Sequence, residues 1–132
     1  MNKKGVAPAF GLMVLLLASP AFATDDDART LAAKSGETID VRAVYGASKC
    51  KSILTAPPEI EVLQAPSEVQ LSVREDMVKA RNCPEKIKGG VVVAKVGEVK
   101  QPTDGKIVFR VKYKTKEGPR QIGYEYKISL VP

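Results

Sequence analysis

The side chains that do most hydrolytic and metal chemistry are thinly supplied in this 132-residue sequence, which contains no His and only two Cys. Without imidazole there is no Ser–His or Cys–His nucleophile and no His-based general base or metal site. Of Ser48, Ser52, Ser67, Ser72 and Ser129 only Ser48 has a Lys three residues on, Lys51, and there Cys50 lies between them; none lies in a Gly-x-Ser-x-Gly motif. Gly89-Gly90 lacks the Lys-Ser/Thr that completes a phosphate-binding loop. Glu59 and Glu61 share one side of a two-residue period, as a carboxylate pair for glycoside hydrolysis would. Their alternation with Ile60 and Val62 reads instead as the wet face of a strand. The sequence thus points to a non-enzyme, with no cofactor and no metal site.

What remains is basic. Lys and Arg number 21 against 15 Asp and Glu, a formal charge of +6. Lys106, Arg110, Lys112 and Lys114 recur with even spacing, so in a strand they share one face, about 6.5–7 Å apart at every second residue. Lys116, Arg120 and Lys127 follow in the adjoining turn and the next apolar-alternating segment. Gathered like charge costs stability, and an anionic partner offsets it. Lipopolysaccharide, an acidic polysaccharide or an acidic envelope protein fits this candidate face. A solvated surface that discourages edge-to-edge aggregation is the simpler alternative. Nucleic acid is not expected, because the wet face carries no aromatic side chain on which a base could stack.

The elements that position these residues begin after a leader. Lys3-Lys4, the apolar run Leu12–Leu17 and Ala21-Phe22-Ala23 follow the basic, apolar, small-x-small order of a cleaved export signal. Cleavage is expected after Ala23, and membrane contact only during export. Removing residues 1–23 takes Lys3 and Lys4 and leaves 109 residues at +4. Residues 24–36 read as a flexible N-terminal segment, in which Asp25 to Lys34 has at most a short helical turn. Residues 37–132 form the single expected domain.

Cys50 and Cys83 are an even pair in an exported chain, which reads as a disulfide. Two free thiols or a bridge between chains are the alternatives. Closing a loop of this length contributes about 4 kcal/mol in the chain-entropy account.

Through the domain the period is two. Ile39, Val41, Ala43 and Tyr45 alternate with Thr38, Asp40, Arg42 and Val44, and Val69, Leu71 and Val73 with polar neighbours. Glu75–Arg81 reads as either strand or helical turn, and Gly89-Gly90 as the opening of a Val91–Val93 strand. The clearest signal is a C-terminal hairpin. Ile107, Phe109, Val111 and Tyr113 face Ile122, Tyr124, Tyr126, Ile128 and Leu130 across Lys116-Glu117-Gly118-Pro119. A four-residue loop pairs Thr115 with Arg120, which sets Tyr113 opposite Ile122, Phe109 opposite Tyr126 and Arg110 opposite Glu125. About seven short strands with turns between them predict an all-β, antiparallel sandwich or small barrel.

Ala65-Pro66-Ser67-Glu68-Val69-Gln70-Leu71, Asp104–Tyr113, Glu117-Gly118 and Tyr124–Val131 resemble bacterial immunoglobulin-like (cadherin-like) β-sandwich domains. The Asn82-Cys83-Pro84 element resembles small exported single-domain versions. Pro66-Ser67-Glu68 departs from the Pro-x-His-Gly turn of that family, and the Gly-Tyr segment before its aromatic strand is missing. The resemblance implies an immunoglobulin-like sandwich and a non-catalytic role, and names no ligand. The expected function is a periplasmic or secreted binding module. A structural accessory of an envelope assembly and a small hydrolase inhibitor are the alternatives.

Overall fold

The computed structural model describes residues 30–132, and the expected cleavage point after Ala23 lies outside them. Nine strands follow in order: β1 (Thr30–Lys34), β2 (Thr38–Val44), β3 (Ala47–Ser48), β4 (Lys51–Ser52), β5 (Glu59–Gln64), β6 (Val69–Lys79), β7 (Lys86–Val96), β8 (Thr103–Thr115) and β9 (Gly118–Val131). Among the described residues there is no helix. One sheet runs β1-β9-β8-β5, the second β2-β7-β6, and β3-β4 form a separate two-stranded ribbon. Seven longer strands thus match the expected count, and the ribbon adds two of two residues each.

The two larger sheets pack face to face. Ile107, Phe109 and Val111 of β8 and Ile128 and Leu130 of β9 lie in the same buried cluster as Val41 and Val44 of β2 and Val92, Ala94 and Val96 of β7. Burial of these β-branched and aromatic side chains supplies the main drive to fold, on the order of 1.5–3 kcal/mol for each large one. A smaller cluster on the other face of β7 joins Val91 and Val93 to Val78, under Tyr45.

Four expectations are corrected. Thr30–Lys34 is a strand, parallel to β9 with Thr30 opposite Lys127 and Lys34 opposite Val131, so this part of the segment is neither helical nor loose. Short Ala and Leu side chains fill its inner side, and such a strand needs a distant partner that local periodicity does not reveal. In β2 the register shifts between Asp40 and Arg42, leaving Val41 as an extra residue. A bulge reverses the phase of everything after it. Val44 therefore is buried and Ala43 exposed, opposite to simple alternation. Gly89 and Gly90 do not open a strand but lie within β7, and β6 continues through Glu75 to Lys79 beside it.

The fourth concerns the hairpin. Thr115 pairs with Gly118, not with Arg120, so the loop is only Lys116-Glu117. The Thr115 hydroxyl accepts the Glu117 N–H at 3.1 Å and donates to the Gly118 carbonyl at 2.7 Å. Gly118 takes φ +113°, a backbone conformation that a Cβ disfavours. The register moves by two residues, so every side chain keeps its face. Phe109 now meets Tyr124, Ile107 meets Tyr126 and Tyr113 meets Arg120.

Cys50 and Cys83 form an intramolecular disulfide, with Cα atoms 5.5 Å apart. It joins two turns. Lys49 and Cys50, both at positive φ, make the β3–β4 tip, and Asn82 at φ +60° turns the chain between β6 and β7. Such a bridge is consistent with an oxidising, exported setting.

A basic outer face on the β8–β9 hairpin

Alternation along β8 sends Ile107, Phe109, Val111 and Tyr113 inward, and Lys106, Val108, Arg110, Lys112 and Lys114 outward. β9 adds Gln121, Gly123, Glu125 and Lys127 to the outer side, and β5 adds Glu59 and Glu61. Of the seven expected basic residues, Lys106, Arg110, Lys112, Lys114 and Lys127 share this face. Lys116 sits at its tip in the turn. Arg120 does not join them: it lies opposite Tyr113, on the inward-pointing row, and its Nη2 bonds Glu117 Oε1 at 2.6 Å.

The acids partly neutralise the row. Lys106 Nζ lies 3.2 Å from Glu125 Oε2. Glu61 Oε1 is shared between Lys112 at 3.4 Å and Arg110 at 3.8 Å. Arg110 thus finds its carboxylate on β5, and not on Glu125 as the longer loop implied, because the tighter turn sets Gly123 opposite it. The Glu59–Glu61 pair belongs to this charged face. Lys106 and Lys127 stand directly opposite one another. Lys114, Lys116 and Lys127 have no ion pair among the described residues. The paired side chains are about half exposed, where an ion pair contributes about 0–1 kcal/mol and exchanges readily for another anion.

A trough of about 460 Å³ interrupts the face over Gly123, lined by Leu63, Val108, Arg110 and Glu125 among others. A Cβ at Gly123 would meet nothing closer than the Phe109 carbonyl oxygen at 4.0 Å. The missing side chain therefore leaves open space and relieves no crowding.

A larger cavity, about 560 Å³, lies at the Pro57-Pro58 loop beside Asp76, Met77 and Lys88. Its Asp76 carboxyl is held below the usual carboxylate range, first by the Met77 N–H and then by Arg74. Among the described residues no cluster of three His, Cys, Asp or Glu side chains is placed to hold a metal ion.

Arg42 escapes sequence reasoning. Alternation puts it on solvent, but the β2 bulge turns it between the sheets, over the Tyr124 ring of β9. Its Nη1 donates to Tyr126 Oη at 2.9 Å, and its Nε is buried without a partner. An unpaired cation in an otherwise alternating strand is a signal only once the bulge is known. Nearby, burial pushes the Tyr113 phenol well above its ordinary pKa, and Tyr124 adds to the effect.

Comparison of the chain with protein-family models, with curated proteins and with solved structures finds no match.

Proposed function

We propose that this chain is an exported, immunoglobulin-like binding module of the cell envelope, non-catalytic, which engages an anionic partner through the outer face of the β8–β9 hairpin. The observation that carries this reading is the direct opposition of Lys106 and Lys127, flanked by Arg110, Lys112 and Lys114 on one plane. Like charges facing each other across a strand pair are destabilising.

The immunoglobulin-like assignment is supported by strand order. Setting aside the β3–β4 ribbon, the six long strands after β1 are distributed as β2-β7-β6 against β5-β8-β9, with β1 added parallel to β9. That is the arrangement of the two sheets of an immunoglobulin-type sandwich. Export is supported by the leader-like residues 1–23 and by the disulfide.

Titration calorimetry of the purified protein with dextran sulfate and with lipopolysaccharide tests the reading. Affinity should fall steeply between 25 and 200 mM salt, because the screening length of exposed charges shrinks from about 20 Å to about 7 Å over that range. Lys112→Glu with Lys114→Glu should weaken binding at least tenfold. Unchanged binding in the double variant, or no binding to either polyanion, overturns the proposal.

A further inference from the structure

The side of β9 away from β8 is covered by β1 only from Lys127 to Val131. From Gly118 to Tyr126 no described residue pairs with it, so among the described residues this is an open sheet edge. Ser35 N donates to the Val131 carbonyl at 3.0 Å, which places the main-chain groups of Val131 on the β1 side. Strand alternation then turns the N–H and C=O of Gln121, Gly123 and Glu125 to the same, open side.

Natural sheets blunt their edges with bulges, charges and Pro, and the β2, β5 and β6 edges of this molecule do so. β2 is bulged between Asp40 and Arg42, and β5 between Val62 and Gln64. β6 carries Arg74, Glu75, Asp76 and Lys79. Gln121–Tyr126 has no Pro and no bulge, and its single charge, Glu125, is tied to Lys106.

The chemistry on the two sides of this edge differs. Inward, Ile122 is 48% exposed beside a cavity of about 390 Å³ lined by Tyr45, Ile53 and Tyr113. Outward, Arg110 and Lys112 lie one strand away, across the trough at Gly123. A strand added to β9 would lie about 10 Å from β8, two strand spacings, a gap that a long basic and an acidic side chain close between them. Its side chains would alternate between the apolar inner side and the basic outer side.

We infer that the Gln121–Tyr126 edge accepts an extended segment of a partner protein whose side chains are alternately apolar and acidic, by strand addition to β9. This rests on the anionic-partner reading and narrows it from any polyanion to a polypeptide. Main-chain hydrogen bonds supply affinity in such an addition, and the alternating side chains supply specificity.

The test uses the peptide acetyl-Glu-Val-Glu-Val-Glu-Val-Glu-amide, a peptide of the same composition in block order, and dextran sulfate, each titrated into the 15N-labelled protein. The alternating peptide should bind at least tenfold more tightly than the block peptide. It should also slow hydrogen exchange at the Gln121, Gly123 and Glu125 amides. Gly123→Pro, whose lost N–H points off the edge, should remove peptide binding while dextran sulfate binding persists, as should Ile122→Lys if the Pro variant misfolds. Equal binding of the two peptides, or unchanged exchange at those amides, overturns strand addition. If dextran sulfate binds and the alternating peptide does not, strand addition falls and the anionic face stands. If neither binds, both fall. Protection of the same amides without peptide, with a dimer in sedimentation, assigns the edge to a second copy and overturns the proposal.

Discussion

The guanidinium carbon of Arg42 lies 4.1 Å from the centre of the Tyr124 ring, and the same group holds the Tyr126 hydroxyl. This cation has aromatic and hydroxyl partners but a buried Nε with none. A desolvated cation–π contact is worth up to about 2 kcal/mol, and an unsatisfied buried donor costs a similar amount. The two nearly cancel. Arg42→Met, which keeps the volume and removes the unsatisfied donor, should therefore change stability by less than about 1 kcal/mol. Arg42→Ala, which leaves a hole over Tyr124, should cost about 1–3 kcal/mol. Urea midpoints at constant slope separate the two.

Lys127→Glu should replace the Lys106–Lys127 opposition with an attractive pair. Cross-strand charge pairs are worth about 0.2–1 kcal/mol, so the variant should be more stable by about that much. It should also bind polyanions more weakly. A gain in stability with a loss of binding marks a residue held for its partner; the gain should shrink in 1 M salt. Thermal midpoints at two salt concentrations, with the dextran sulfate titration, read all three effects.

Two glycines, one in each of the larger sheets, should respond oppositely to Ala. At Gly89 a Cβ would come within 2.5 Å of the Val44 carbonyl oxygen and 2.8 Å of Val78 Cγ2. The first obstacle is backbone, which cannot rotate away, so Gly89→Ala should cost about 1–3 kcal/mol. At Gly123 the added methyl meets open space. Gly123→Ala should be neutral or stabilising by about 0.5–1 kcal/mol through reduced freedom of the unfolded chain. Chemical denaturation of both variants checks the contrast.

Tyr113 makes stability fall at alkaline pH. Its folded-state pKa is raised by burial above the unfolded value of about 10. The neutral phenol's contribution is therefore complete below pH 10. It declines as pH rises beyond 10, where the unfolded chain releases this proton and the folded chain retains it. The slope reaches at most about 1.4 kcal/mol per pH unit for one group. Tyr113→Phe should flatten the decline above pH 10 and leave the profile below it unchanged in shape. Urea unfolding between pH 8 and 11 measures this.

The sandwich is legible where contacts are periodic. Ile107 to Tyr113 and Ile122 to Leu130 announce two half-buried strands, and the face of every basic residue on β8 follows from them. Cys50 and Cys83 announce their bridge because they are the only two thiols and follow a leader-like N-terminal sequence. The hairpin register is not legible, since a loop of Lys116-Glu117 and one of Lys116–Pro119 give identical faces. It is decided by the Thr115 hydroxyl and the backbone of Gly118. The Arg42 position depends on one extra residue at Val41, and a period-two pattern carries no mark of a bulge until it fails at Val44. β1 is invisible locally because its pairing is with residues almost a hundred positions away.

The parallel pairing of β1 with β9 also has a mechanical side. Force applied upstream of Thr30 and downstream of Val131 pulls the two strands along their length in opposite senses. All their hydrogen bonds then bear load together, in shear, and none can be unzipped singly. A module gripped at both flanks would resist extension at this one seam first, and the disulfide would keep the segment from Cys50 to Cys83 from paying out after the seam gave way.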